Sequence, residues 1–214
     1  MAETAERYFS APPIPLTATV PHESSTAPNV LVVDDEEDVA EAYALKLRGD
    51  YDTELAFGGE AALEKADATT DAILLDRRMP DIHGDEVLEK LRDQGYDFPI
   101  IMVTAVDPDL NILEMDFDDY LCKPVDKETL RATLDQHVDR NGTDPKLEEF
   151  FSLLSKLSVL ESELQPSELE DDEEFQRLKR RAVKLSEELR ESMDDFEEIV
   201  ETHRSVDRGS RSSL

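Results

Sequence analysis

A second cysteine is missing from this chain of 214 residues, and with Cys122 alone no internal disulfide can form. Long apolar runs are missing too. No stretch approaches the length needed to cross a bilayer, and the first residues have neither the basic start nor the apolar core of a secretion signal. The expectation is a soluble, cytoplasmic protein. Positive charge is scarce: 23 Lys and Arg stand against 53 Asp and Glu, a net charge of −30. Such a charge repels polyanions at long range, which argues against a broad DNA- or RNA-binding face and against an anionic membrane surface.

Proline is the one abundant turn-former at the start. Five of the eleven prolines fall before Asn29, among Ser, Thr and Ala, so residues 1–28 read as an extended, disordered lead-in. From Asn29 a strand–helix alternation begins. Val30-Leu31-Val32-Val33, Thr53–Phe57, Ala72-Ile73-Leu74-Leu75, Ile100-Ile101-Met102-Val103 and Asp119–Cys122 read as strands. The continuous apolar runs among them are what strands covered on both faces require. Helices are expected at Glu36–Arg48, Gly59–Ala66, His83–Gln94 and Asp126–Val138, with a shorter one over Pro108–Met115. Five alternating strands imply a doubly wound parallel sheet over residues 29–140, with its reactive groups outside the carboxyl ends of the strands.

Polar residues sit at those ends. Asp34-Asp35 follows the first strand, Asp76 the third, Thr104 closes the fourth and Lys123 follows the fifth. Adjacent carboxylates in a cleft repel one another unless a cation joins them. Asp34, Asp35 and Asp76 together suit a hard divalent ion such as Mg2+. A carboxylate beside such an ion can attack phosphorus, so Asp76 is the candidate nucleophile, with Lys123 and Thr104 as partners for phosphoryl oxygens. Taken singly, each residue has a plainer reading: a solvated acid run, a surface lysine, a strand-end hydroxyl. The plain readings do not explain why all of them fall at carboxyl ends.

The ordered set Asp-Asp, Leu-Asp-x-x-Met-Pro with Gly84 downstream, Thr104-Ala105 and Lys123-Pro124 resembles the response-regulator receiver domain, a CheY-like, flavodoxin-like fold, over residues 30–138. The resemblance implies phosphotransfer from a histidine kinase onto Asp76, in a phosphoacceptor rather than an enzyme. It implies Mg2+ on Asp35, Asp76 and the backbone carbonyl of Arg78, with Asp34 acting through water. It further implies Thr104 as the phosphate-sensing hydroxyl, Tyr120 as the aromatic that swings inward after it, and a cis bond at Lys123-Pro124 that helps aim the lysine. The sequence departs from the family in two places. Only 19 positions separate Thr104 from Lys123, so the fourth helix is truncated or irregular, and Arg77 and Arg78 crowd Asp76.

Beyond the Asn141–Pro145 boundary, residues 145–203 resemble the HalX domain, a helical module that follows receivers in haloarchaeal proteins, on the strength of Phe175–Arg181 and its Leu/Glu flanks. The evenly acidic, lysine-poor composition resembles that of proteins from salt-loving organisms, where salt screens the self-repulsion, with an acidic mesophilic protein as the plainer alternative. Two antiparallel helices joined at Pro166 are expected, the second capped by Ser167-x-x-Glu170. Its heptad seam of Phe175, Leu178, Ala182, Leu185, Leu189, Ser192, Phe196 and Ile199 suits a coiled coil, within the chain or in a homodimer. Residues 204–214 read as a disordered tail.

Two other functions compete. A DNA-binding transcription regulator acting through the C-terminal helices would use the basic run Arg177–Lys184, but no recognition helix is evident and the region is acidic overall. A Mg2+-dependent aspartyl phosphatase of the haloacid dehalogenase type would need Asp-x-Asp after the first strand. The sequence has Asp34-Asp35-Glu36 there instead.

Overall fold

A computed structural model describes residues 27–138 and 144–201 of the chain. The expectations for the remainder of the lead-in, for the linker around Gly142 and for the tail lie outside the described residues. The sheet is five-stranded and parallel, in the order β2-β1-β3-β4-β5. Its strands are β1 (Asn29–Val33), β2 (Asp52–Ala56), β3 (Ala72–Leu75), β4 (Ile100–Thr104) and β5 (Asp119–Cys122).

Alternate residues of each strand enter opposite cores. Val30, Val32, Leu74, Ile101, Val103 and Leu121 face one side, where α1 (Glu37–Leu47) and α4 (Lys127–Val138) cover them with Tyr43, Leu47, Leu130 and Leu134. Leu31, Val33, Ile73, Leu75, Ile100 and Met102 face the other side, against α2 (Gly59–Lys65) and α3 (Gly84–Asp93). Both sides are apolar because both are buried, which is why the strand sequences show no polar alternation.

Between β4 and β5 the chain makes only a short 3-10 helix, Leu110–Glu114, closed by the Asp109 side chain on Asn111 N. A segment this short cannot cover the end of the sheet. The neighbouring space is filled by α5 (Pro145–Glu163), which packs on β5 and on the 3-10 helix. The start of α5 is as its sequence demands, with Asp144 capping Lys146 N at 2.9 Å and Pro145 in the first turn.

The two-helix expectation is corrected. A separate helix, α6 (Pro166–Asp171), stands between α5 and α7 (Glu173–Ser192). The capping box uses Gln165 and Glu168 rather than Ser167 and Glu170, so α6 starts two residues earlier than expected. Asp172 then caps a new helix by accepting from Phe175 N at 2.7 Å. Nor does the heptad seam run unbroken. Helix α7 ends at Met193, and residues 196–201 form another helical turn that buries Phe196 and Val200. Phe175, Ala182, Leu185 and Leu189 are buried, and α7 packs against α5. The seam is therefore used within the chain.

Candidate functional site

The backbone ladder runs one residue past the strands and so aligns the polar ends. Asp34 N donates to Ala56 O (3.1 Å), Asp76 N to Val33 O (2.9 Å) and Lys123 N to Thr104 O (2.8 Å). Asp34, Asp76 and Lys123 consequently meet. Lys123 Nζ stands 2.5 Å from Asp34 Oδ2 and 2.7 Å from Asp76 Oδ1, and both carboxylates are almost wholly buried. The peptide between Lys123 and Pro124 is cis. Asp76 Oδ2 accepts from Arg78 N at 2.7 Å, and Asp34 Oδ1 from Glu36 N at 3.1 Å.

One ammonium serves two buried carboxylates, and the imbalance shows in Asp76. Burial pushes its carboxyl above the ordinary range, outweighing the Lys123 contact and the Arg78 hydrogen bond that draw it down. Lys123 is itself held above its ordinary value: burial opposes its charge, but the hydrogen bonds to Asp34 and Asp76 prevail.

Asp35 is exposed at the same strand end, outside the buried pair. Among the described residues no three His, Cys, Asp or Glu side chains gather closely enough to cage a metal. The donor set nonetheless fits Mg2+: hard carboxylate oxygens, a deficit of positive charge, and a third acid next to Asp34 in the chain.

Thr104 is completely buried, and its Oγ1 accepts from Val106 N at 3.2 Å. Tyr120 is buried as well and donates its hydroxyl to Val106 O at 2.8 Å. Both expected switch residues thus grip the same loop residue. Burial pushes the Tyr120 phenol up to about 12, against the pull of Arg77.

The sequence alone did not reveal how the Asp76 loop is braced. Arg77 is buried rather than merely crowding its neighbour. Its Nε donates to Asp85 Oδ1 and Oδ2 at 3.0 and 3.2 Å, and its Nη2 lies 3.8 Å from Asp109 Oδ1. Asp81 accepts from Gly59 N and Glu60 N, which ties the loop to the first turn of α2. Gly84 opens α3 hard against the loop, and a Cβ there would lie 2.2 Å from Asp76 O. The signal was present for Gly84 within the motif; Arg77 stood out only as bulk beside Asp76, and nothing local marked Asp81.

A family model for the response regulator receiver domain matches residues 30–135, and one for the HalX domain matches residues 139–207. The chain joins a response regulator receiver domain to a HalX domain. A Haloferax volcanii protein, named as a candidate transcriptional regulator, is 43% identical over 143 residues, covering 66% of this chain and 25% of that protein. The alkaline phosphatase synthesis transcriptional regulatory protein PhoP of Bacillus subtilis is 41% identical over 108 residues, covering 48% of this chain and 45% of PhoP. The chain therefore spans from a quarter to about half the length of these relatives. Among solved structures, the receiver domain of Francisella response regulator 1452 is similar at 32% identity and a TM-score of 0.49, over 53% of this chain and 98% of that one.

Four of the five cations in the basic run of the HalX region have carboxylate partners. Arg177 pairs with Glu174, Lys179 Nζ with Glu161 (2.8 Å), Arg181 with Glu149 (2.6 Å) and Lys184 with Glu188 (3.7 Å). No helix among the described residues is long and apolar enough to cross a membrane.

Proposed function

We propose that this chain is the phosphoacceptor of a two-component relay, taking a phosphoryl group onto Asp76 from the phosphohistidine of a histidine kinase. The observation that carries the reading is the lysine bridge: Lys123 Nζ lies within hydrogen-bond reach of two buried carboxylates from different strands. In the transfer, an Asp76 carboxylate oxygen attacks phosphorus. The bond from phosphorus to the imidazole nitrogen breaks as the new phosphorus–oxygen bond forms, and the imidazole keeps the electron pair and takes a proton from solvent.

Lys123 then turns from bridging two carboxylates to holding a phosphoryl oxygen, while remaining paired with Asp34. Thr104 gives up its contact with Val106 N and donates its hydroxyl to a second oxygen. Mg2+ held by Asp35, Asp76 and the Arg78 carbonyl, with Asp34 through water, would supply neutralisation of the charge on the transferring group. The chemistry is self-modification, with no turnover of a separate substrate, and the working compartment is the cytoplasm.

The output passes through the helical region to a protein surface. Contact with DNA through Arg177–Lys184 is disfavoured because four of its five cations are matched by carboxylates on α5 and α7. Incubation with acetyl phosphate and Mg2+ at high salt should add one phosphoryl group by intact mass, and Asp76→Asn should add none. Undiminished labelling of Asp76→Asn would overturn the assignment.

A further inference from the structure

Helix α5 has apolar side chains on more than one face. Phe150, Phe151, Leu153, Leu157, Val159 and Leu160 are all buried. A helix buried around most of its circumference needs two partners. One is α7. The other is the receiver itself, because α5 lies on β5 and on the 3-10 helix Leu110–Glu114, on the sheet face that α2 and α3 cover. Ile112, Leu113, Phe117 and Tyr120 share one continuous core with these α5 residues.

The contact is also polar and specific. Ser155 Oγ donates to Asp119 Oδ1 at 2.5 Å, and the other carboxylate oxygen of Asp119 lies 3.1 Å from His137 Nε2 on α4. Ser152 Oγ donates to Phe117 O at 2.9 Å. The buried Lys156 ammonium donates to Met115 O and lies over the Phe117 ring, 5.1 Å from its centroid. Three α5 side chains therefore hold residues 115–119. That hook leads directly into Tyr120, whose ring is 5.7 Å from Phe117 and whose hydroxyl grips the loop behind Thr104.

We propose that α5 is the covering helix that the receiver lacks between β4 and β5, and that phosphorylation of Asp76 is read out by loosening its grip on residues 115–119. The second half of this inference rests on the function proposed above. A phosphoryl group on Asp76 draws the Thr104 hydroxyl and the Val106 loop toward itself. Tyr120 is bonded to Val106, and the hook is one residue from Tyr120, so the displacement is delivered to the contacts of α5. With those contacts made and buried, the structure is the docked state. Packed interfaces respond to such displacements in steps rather than by gradual deformation.

The test uses the whole chain with a specific protease site inserted between Asn141 and Asp144. After cleavage the two pieces should co-elute as a one-to-one pair in size-exclusion chromatography, and Ser155→Ala should weaken that pairing at least tenfold. Pieces that part on cleavage would show that α5 is a separate module and overturn the proposal. Cleaved protein carrying verified phosphoryl label should dissociate at least fivefold more readily than unlabelled protein. Equal dissociation with full labelling overturns the readout. Absence of labelling overturns the phosphoacceptor assignment instead, and leaves the docking result standing.

Discussion

At the scale of single residues, the site is governed by a shortage of positive charge. Asp34 and Asp76 are buried and share Lys123, and burial holds the Asp76 carboxyl above its ordinary range. A carboxyl whose folded value is raised binds its proton more tightly in the folded state. Its ionised form therefore costs stability at neutral pH, and that cost is relieved as pH falls through the folded value. Asp76→Asn, which leaves Asp34 and Lys123 as a matched pair, should raise the Tm at neutral pH, each pKa unit of the displacement being worth about 1.4 kcal/mol. The gain should vanish at a pH low enough to protonate Asp76 in both states, and a Tm difference independent of pH would refute the charge argument. Gly84 makes the opposite case. Its replacement by Ala drives a Cβ into the Asp76 carbonyl. A loss of about 1–3 kcal/mol or more is expected in thermal unfolding, together with a loss of phosphoryl uptake.

Among elements, the strands and the helices α1 to α4 were legible because each carries an unambiguous period. The continuous run Val30–Val33 has no other reading in an alternating chain, and Val87, Leu88 and Leu91 fall on one helical face and are buried. The C-terminal helices were less legible. A seam every three or four residues looks the same whether its partner is a second chain or an earlier helix, and here Leu185 and Leu189 face α5. Leu185→Ala should cost about 2–5 kcal/mol, read as a lowered midpoint in chemical denaturation. The break at Asp172 was hidden by the acidic run around it, since a capping carboxylate and a solvated one are the same residue type. Asp172→Ala should cost about 1 kcal/mol and increase hydrogen exchange in the first turn of α7, with α5 unaffected.

On the scale of the whole molecule, a net charge of −30 works against a compact fold. Salt screens that repulsion, with a Debye length of about 10 Å at 0.1 M and about 3 Å at 1 M. The Tm should climb as potassium chloride is raised from tenth-molar to molar levels. A flat profile would mean that the exposed acids are already balanced locally. The seam on α7 is also spent within the chain, so light scattering at high salt should report a monomer. A dimer abolished by removing residues 146–203 would restore the seam as an interface.

Sequence by itself determined the five parallel strands and the identities of Asp34, Asp76, Thr104 and Lys123, because apolar period and strand-end position are local properties; the order of the strands came from the structure. Tertiary structure decided that Asp34 is buried while Asp35 is exposed, that Arg77 pairs with Asp85, and that α5 packs against the receiver. Each of these depends on which distant surface a side chain meets. Ser155 and Asp119 lie 36 residues apart, and no spacing rule relates them. Only the missing covering helix, and the space it leaves beside β5, brings them together.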